Sequence, residues 1–392
     1  MIKNILIISS DHTGHGHKSI TESLCEKIPQ NSNINIHVVD GFSLGGHSLL
    51  KIGKSYGPIT RHVEGLWQLI WSISSIKPDL INKIISSLIR TNLLKLLDKV
   101  KPDLILSVHP NFNGSVIDIL EEQNLKIPFI TLIADLVSIY PLWADPRAAA
   151  IISPTEEAKE KCIEYGVTEE KIKVFGFPVR SKFHNHNGKH HYDINTSLNC
   201  LIMSGGEGVG NMSNIAKILL DNFNCNVKIV AGRNIALKEH LEKSLIGKYG
   251  NKVQIYGFTK NIQDLMLSSD IAFTRGSPNV MMEAISCNVP IIITGALPGQ
   301  EQGNPEFAAK YNLAVICENL DNLKNTIDNL LLNNAEKLNQ IKNSQRAYIN
   351  PHAAENIVDF ILNYEGDYNE AAVTDVHPDD TKLDSENVSY ET

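Results

Sequence analysis

Cysteine is scarce in this chain of 392 residues, and its six cysteines are scattered without a Cys-x-x-Cys pair. No histidine completes them at a spacing typical of metal ligands. Scattered thiols of this kind predict reduced core residues rather than a disulfide framework or a zinc site. The Asp-x-Asp pattern is also missing, so the sequence gives no case for a magnesium or manganese site. We therefore expect neither a metal nor a cofactor.

Long apolar runs are missing as well. No stretch of 18 apolar residues occurs, which argues against a helix that spans a bilayer. The apolar residues 1–9 are too few for a secretion signal followed by a cleavage site, and they predict a buried strand instead. We expect an intracellular protein whose contact with a membrane, if it has one, is peripheral.

The negative charge is confined to one end of the chain. Residues 365–392 hold nine acids and one lysine, so this segment alone accounts for the net charge of −8. The segment has few large apolar side chains and is predicted to be a disordered acidic tail. The rest of the chain is neutral overall and long enough for two domains with cores of their own. We expect no nucleic-acid partner.

Short apolar runs alternate with helical patterns through both halves of the chain. Such alternation predicts an α/β protein with parallel sheets. The first domain is predicted at 1–183 and the second at 198–350, with a polar, histidine-rich linker at 184–197. Residues 351–364 follow as an amphipathic helix, because a proline precedes an apolar face at helical spacing.

Residues 274–304 organise the rest of the chain. A buried strand precedes them, Gly276 and Pro278 break the pattern, and a helix follows with Glu283 one turn in. Strand-to-helix turns at one edge of a parallel sheet form ligand sites, and a helix N-terminus there suits a phosphate. The amides and carboxylates of 300–304 suit hydroxyls, so the stretch predicts a nucleotide-sugar site. The alternative to a ligand site is an ordinary strand–helix turn whose polar loop residues are exposed to solvent.

This stretch, with its PGQEQGN end, resembles the donor site of GT-B glycosyltransferases, in the branch of monogalactosyldiacylglycerol synthases and bacterial diacylglycerol glucosyltransferases. Three further segments resemble motifs of that family: the GHGH turn at 14–17, ADLVSIYPLW at 134–143 and the glycine loop at 204–210. The resemblance implies two Rossmann-like domains facing across a cleft, and a last helix that crosses back to the first domain.

The resemblance also assigns site residues. It implies that His17 and Asp135 are catalytic, one of them as the base for an acceptor hydroxyl, while His12 and His15 have no such counterpart and are predicted to lie on the surface. Gly14, Gly16, Tyr140 and Trp143 are predicted on the acceptor side. The donor-binding residues implied are Gly206, Arg233, Phe258, Ser277, Asn279, Glu283, Gln300, Glu301 and Asn304.

The sequence departs from the family pattern in two places. Tyr140 stands where the family has a histidine, and Ser277, Asn279 and Val280 replace two glycines and a threonine before and within the donor helix. Asparagine tolerates positive φ better than most residues, and a serine can donate to a phosphate. We therefore expect a working site with an altered donor or acceptor preference.

Residues 47–101 combine nine basic residues and three acids with apolar side chains. Trp67, Trp71 and Lys77 are predicted to contact an anionic membrane, because a basic segment with exposed tryptophan suits that surface. Alternatively, the two tryptophans lie at i and i+4 in the core of a helix whose basic face is solvated.

These features predict an inverting UDP-sugar-dependent hexosyltransferase, peripheral on the inner face of the cell membrane, whose lipid acceptor is diacylglycerol. The departing UDP would be stabilised by Arg233, helix N-termini and glycine-loop N–H groups. Two alternatives stay open: transfer to a polyprenyl-linked peptidoglycan intermediate or another aglycone, and a membrane-binding regulatory pseudoenzyme.

Overall fold

The protein is described by a computed structural model over residues 2–11, 15–29, 33–62, 77–184, 192, 195–205, 208 and 211–365, with only the backbone described at 56–62. Two six-stranded parallel sheets form its two halves, in the orders β2-β1-β3-β4-β5-β6 and β12-β11-β10-β7-β8-β9. This confirms the predicted α/β class with two parallel sheets.

The strands of the first half follow the apolar runs of the sequence. They are β1 Asn4–Ser9, β2 Asn35–Asp40, β3 Leu104–Ser107, β4 Phe129–Leu132, β5 Ala150–Ser153 and β6 Ile172–Val174. The helices are α1 Gly16–Cys25, α2 Gly41–Leu44, α3 Gly46–His62, α4 Pro78–Val100, α5 Asn113–Glu122 and α6 Glu156–Glu164. Residues 5–8 are at most 2% exposed. Because helices cover both faces of a parallel sheet, its strands are continuous apolar runs without alternation.

The second half repeats this plan. Its strands are β7 Leu198–Met203, β8 Cys225–Val230, β9 Val253–Tyr256, β10 Ile271–Thr274, β11 Ile291–Ile293 and β12 Ala314–Ile316. Its helices are α7 Met212–Asn222, α8 Ile235–Leu241, α9 Gly247–Tyr249, α10 Ile262–Leu267, α11 Pro278–Ser286, α12 Asn304–Lys310 and α13 Leu323–Tyr348. The last of these is interrupted near Asn333 and Asn334, where φ is positive.

Strand order determines where a ligand can bind. The chain leaves β1 for β2 on one side and later returns to β3 on the other, and β7 is flanked in the same way by β8 and β10. At such a switch point the connecting loops diverge and open a crevice beyond the carboxyl ends of the strands. The loops after β1, β3, β7 and β10 therefore border these crevices, and the loop after β4, the strand beside β3, lies at the same edge of the sheet.

The last helix, α14 Ala353–Leu362, returns to the first half. Asn350, just before it, donates from Nδ2 to the Phe175 carbonyl at 2.8 Å. Tyr364, after it, donates from its hydroxyl to the Ala149 carbonyl at 3.1 Å. These contacts tie the end of the second half to the first. Within the described residues, no helix combines the length and the apolar character needed to cross a bilayer.

Candidate active site

A cavity of about 720 Å³ lies between the two halves, within the range typical of small-molecule sites. The first half lines it with the start of α1 and the residues after β4. The second half contributes the loops after β7, β8 and β10, the start of α11 and the loop before α12. The cavity therefore occupies the crevice that the two strand orders predict.

Asp135 follows β4 and is 2% exposed. Its carboxylate accepts a hydrogen bond from each half of the molecule: Trp143 Nε1 donates to Oδ2 at 2.7 Å, and Gln300 Nε2 donates to Oδ1 at 3.0 Å. Trp143 itself is fully buried in the first half. The carboxylate is thus fixed in direction while it still lines the cavity.

Burial raises the pKa of Asp135 to about 6, because a charged carboxylate loses its hydration. The hydrogen bonds from Gln300 and Trp143 lower this pKa, and the nearby Glu301 carboxylate raises it. A carboxylate whose pKa lies near neutrality is a much stronger base than an exposed one, and it is still ionised at pH 7.

His17 lies on the same wall, in the first turn of α1, and is buried. Its Nδ1 lies 2.6 Å from the Val108 carbonyl. A carbonyl only accepts, so Nδ1 carries the proton and Nε2 keeps its lone pair. Burial lowers the pKa of His17 to about 4, so the ring is neutral at pH 7. The His109 ring packs against it at 4.5 Å between centroids.

The rest of the cavity is rich in cations. Its basic lining residues are Lys18, Arg180, Lys182, Arg233, Lys260 and Arg275. The Arg233 guanidinium lies 5.3 Å from the Phe258 ring centroid, and the His15 ring packs against the same ring at 5.1 Å. Such a lining suits a ligand with several negative charges, because preorganised donors in a crevice bind anions strongly.

The start of α11 offers a second anion site. Ser277 caps this nine-residue helix, Pro278 is its first residue, and both line the cavity together with Asn279. The first N–H groups of a helix lack internal partners and lie at the positive end of its dipole. Behind it, Arg275 Nε pairs with Glu301 Oε2 at 2.8 Å, which holds the loop before α12 in place.

Glu283 lies two turns into α11 and is 7% exposed. Its Oε1 accepts from Ser19 Oγ at 3.0 Å and from Arg180 Nη2 at 2.7 Å, and both donors belong to the first half. Burial raises the pKa of Glu283, while the Arg180 charge lowers it. The carboxylate therefore joins the two walls of the cavity.

Both halves of the chain match models of glycosyltransferases. Residues 17–179 match the model described as monogalactosyldiacylglycerol (MGDG) synthase, and residues 208–347 match the glycosyl transferases group 1 model. Over 346 residues the chain is 28% identical to the probable monogalactosyldiacylglycerol synthase 2, chloroplastic, of Oryza sativa subsp. japonica, which covers 81% of this chain and 71% of that protein. The processive diacylglycerol beta-glucosyltransferase of Bacillus cereus (strain G9842) is 27% identical over 376 residues, covering 92% and 94%.

Among solved structures, MurG of Acinetobacter baumannii is similar with a TM-score of 0.59 at 14% identity, covering 92% of this chain and all of that one. The chain is a GT-B glycosyltransferase related to the monogalactosyldiacylglycerol synthases. This confirms both the predicted fold and the predicted class of enzyme.

Most of the residues that the sequence assigned to this glycosyltransferase's site do line one cavity. They are Gly16, His17, Asp135, Arg233, Phe258, Ser277, Asn279, Glu283, Gln300 and Glu301. Gly14, Gly206, Trp67 and Trp71 lie outside the described residues, as do His12 and residues 366–392 of the tail. Lys77 is exposed immediately before α4. The roles assigned to these residues remain predictions.

Three predicted contacts are placed differently by the structure. Trp143 is fully buried and holds Asp135 instead of facing an acceptor. Tyr140 is half-buried outside the cavity lining, and its hydroxyl donates to Asn111 Oδ1 at 3.3 Å. Asn304 is also fully buried, and its Nδ2 donates to the Gly276 carbonyl at 2.7 Å, so it shapes the donor loop from behind.

The prediction that His15 is a surface residue was wrong. Helix α1 begins at Gly16, so His15 occupies its N-cap position and lines the cavity. Burial and the Arg233 charge lower the pKa of His15 to about 4. Gly16 has no positive φ, but a Cβ there would lie 2.5 Å from Asn279 Nδ2.

We expect Gly16→Ala to lower the free energy of unfolding by roughly 0.5–1.5 kcal/mol, because the new Cβ forces the end of the Asn279 side chain away from its rotamer. Thermal unfolding and kcat/KM measure this, and Gly16→Ala combined with Asn279→Ala should recover most of both. Gly247→Ala is the matched control, since a Cβ there meets nothing within 4 Å. Equal stability of the Gly16 and Gly247 variants would contradict the close approach of the walls.

Sequence reasoning missed Ser19, Arg180 and His109. His109 follows β3 and is buried against His17. A histidine after a strand does not by itself indicate a functional site, so the sequence offered no reason to select it. Arg180 follows the Pro178–Val179 exit of the first half, where a basic residue also suits a solvated linker. Only their contacts with residues more than 90 positions away in the sequence reveal them.

Proposed function

We propose that this glycosyltransferase moves a hexose from a UDP-sugar to diacylglycerol, with inversion at the anomeric carbon. The Asp135 carboxylate carries the proposal: it is buried in the first-half wall of the cavity with its pKa raised to about 6, and Arg233, Lys260 and the start of α11 line the second-half wall. Relatives named for the synthesis of diacylglycerol glycosides support this choice of acceptor.

In this proposal the diphosphate of the donor binds beside the cationic residues of the second-half wall. Arg233, Lys260 and the N-terminus of α11 line the second-half wall, where fixed donors can take up charge that develops on the departing UDP. This arrangement supports the proposal that the leaving group is stabilised without a divalent cation. The Phe258 ring and the loop after β9 are the proposed surface for the uracil base.

The proton is taken by Asp135. In the proposed step, the carboxylate removes the proton from an acceptor hydroxyl, the acceptor oxygen forms a bond to the anomeric carbon, and the bond to UDP breaks. Neutral His17 offers Nε2 as an acceptor that orients this hydroxyl. One displacement of this kind inverts the anomeric centre.

Release of UDP tests the proposal. Purified protein is incubated with UDP-glucose, UDP-galactose or UDP-N-acetylglucosamine, together with vesicles that contain diacylglycerol, with vesicles that contain a polyprenyl-linked acceptor, or without an acceptor. We expect UDP release that requires diacylglycerol, persists in EDTA, and yields a glycolipid whose anomeric proton coupling in NMR shows inversion. Release only with a polyprenyl-linked acceptor would overturn the acceptor class. Binding without release, for every acceptor, would show a protein that binds donor and does not transfer.

The acceptor is proposed to enter from a membrane surface. Helix α4 exposes an apolar stripe at i, i+4 and i+8, with Leu80, Ile84 and Leu88 between 43% and 51% exposed. Lys77, immediately before this helix, and Lys83, within it, are also exposed. An exposed apolar stripe flanked by lysines fits the interface of an anionic bilayer, where each lysine adds roughly 1 kcal/mol.

Ile84→Glu should reduce binding to vesicles by about tenfold. The substitution would replace apolar surface that enters the bilayer by a carboxylate, which anionic headgroups repel. Cosedimentation with vesicles that contain phosphatidylglycerol measures this. Ile163→Glu, at an exposed isoleucine of α6, is the matched control for the same substitution away from the stripe. Equal binding of both variants would exclude the α4 face as the membrane contact.

A further inference from the structure

The Ser204 hydroxyl is a buried polar group that the fold leaves unpaired inside the cavity. Ser204 follows β7, at the switch point of the second sheet, and it lines the cavity. Only 7% of the residue is exposed, and its Oγ is buried without a hydrogen-bond partner among the described residues. Such a hydroxyl has lost its hydration and gained no bond, so it destabilises the empty protein. A ligand of the cavity can supply the missing partner.

The surroundings of Ser204 favour a partner that accepts hydrogen bonds and carries negative charge. The next residue, Gly205, lies close to the first turn of α11, because a Cβ on it would be 3.8 Å from Val280 Cγ2. The first N–H groups of α11 lack internal partners and lie at the positive end of its dipole. Ser277, at the N-cap of α11, also makes no capping hydrogen bond with its side chain.

The other unpaired atoms of the cavity have the same need. Arg180 Nε and His15 Nε2 also line it, and both are buried without a hydrogen-bond partner in the described part of the chain. An arginine Nε can only donate. Among the described residues, no carboxylate oxygen is buried and unpaired. The cavity therefore lacks acceptors rather than donors, and a phosphoryl group, whose oxygens accept, fits this deficit.

We propose that Ser204 is a further nucleotide-binding residue, whose hydroxyl donates a hydrogen bond to a phosphoryl oxygen of the diphosphate in the UDP-sugar and in the departing UDP. The inference deepens the proposed function and rests on it. The hydroxyl turns about single bonds, so it can reach a phosphoryl oxygen without a change in the main chain. The same group thus weakens the empty protein and strengthens its complex with the nucleotide.

A hydroxyl that stabilises the fold would behave in the opposite way, and the chain offers a matched comparison. Ser286, on α11, is fully buried, and its Oγ also lacks a partner among the described residues, but it lies outside the cavity lining. Replacement of either serine by alanine removes no hydrogen bond from the nucleotide-free protein. Neither substitution should therefore lower its melting temperature, and only Ser204→Ala should weaken the binding of UDP.

Calorimetric titration of the full-length protein with UDP, and its thermal unfolding with and without millimolar inorganic diphosphate, test the proposal. Ser204→Ala should weaken UDP binding about ten- to hundredfold, the usual effect of a hydrogen bond to a charged group. It should also reduce the stabilisation by diphosphate. Ser204→Cys, which has nearly the shape of serine but a weaker donor, should give an intermediate affinity.

Turnover gives a second measurement. Negative charge on the diphosphate grows as its bond to the sugar breaks, so a donor at this place matters more in the transition state. Ser204→Ala should therefore lower kcat as well, by about tenfold or more. Ser286→Ala should keep the wild-type kcat.

Unchanged UDP affinity in Ser204→Ala, or an equal loss in Ser286→Ala, would overturn the proposal. UDP binding that depends on Ser204, with diphosphate binding absent or unaffected by the substitution, would place the hydroxyl on the nucleoside and overturn the phosphoryl assignment. If the wild-type protein binds diphosphate but not UDP, the proposed donor is wrong, and the diphosphate series alone decides the role of Ser204. Binding of neither ligand would overturn both.

Discussion

Asp135→Asn is expected to lower kcat by about 10²–10⁴ at every pH between 5.5 and 9, because a positioned base is worth that much in rate. The wild-type rate should fall as pH decreases through about 6, where the carboxyl takes up its proton. Asparagine does not ionise, so the remaining rate of the variant should be independent of pH across that range.

The fold should tolerate this substitution. Trp143 Nε1 can only donate, so the new amide must turn its oxygen toward the indole and its nitrogen toward Gln300. Gln300 can then rotate its own amide and accept instead of donating. UDP affinity should therefore change little, because the cations and the α11 N-terminus are untouched.

Rates across pH, together with calorimetric titration of UDP, measure both expectations. Asp118→Asn is the matched control: it removes a carboxylate of the first half that pairs with Arg147, outside the cavity lining. A variant at position 135 that keeps an inflection near pH 6, or that turns over at more than a tenth of the wild-type rate, would show that another group is the base.

His17→Ala is expected to lower kcat by about 10² or more, through loss of the Nε2 acceptor and of the ring beside Trp143. Because the pKa of His17 lies at about 4, its titration does not contribute to the inflection near pH 6. That inflection should therefore persist in the variant, at a lower plateau. His17→Gln, which offers an amide near the place of Nε2, should recover part of the rate.

The same pH series separates the two residues. Loss of the inflection in His17→Ala, with its retention in Asp135→Asn, would exchange their roles and make the imidazole the base. Thermal unfolding of each variant shows whether the packing of His109 against residue 17 is needed for the fold. His37→Ala, a histidine on the edge strand β2, serves as the control.

Local sequence patterns were sufficient to predict the two parallel sheets and the position of Asp135 in the crevice. A buried parallel strand is an apolar run, and the residue after its carboxyl end faces the crevice for any sequence, so an acid after β4 had to lie there. The partners of that acid could not be predicted in the same way. Gln300 lies 165 positions away, and which donor reaches which oxygen depends on how the two halves dock.

Turns and family motifs predicted the structure less well than the apolar strand patterns did. The GHGH turn was identified by its resemblance to a family motif, and that motif did not show that Gly16 begins a helix or that a Cβ there would lie 2.5 Å from Asn279 Nδ2. His15 was predicted on the surface because the family gives it no counterpart, whereas the structure places it in the cavity lining. Trp143 and Asn304 match a family motif, but a motif does not say whether a side chain faces the ligand or supports a neighbour that does.

Three close pairs cross the cleft: Gly16 with Asn279, Asp135 with Gln300, and Arg180 with Glu283. In each pair one member belongs to the first half and the other to the second. The two halves are thus not interchangeable modules, although each has its own sheet. A chimera that takes one half from a related enzyme inherits only one member of each pair. Exchange of donor or acceptor specificity by recombination therefore requires that all three pairs be transferred or rebuilt together.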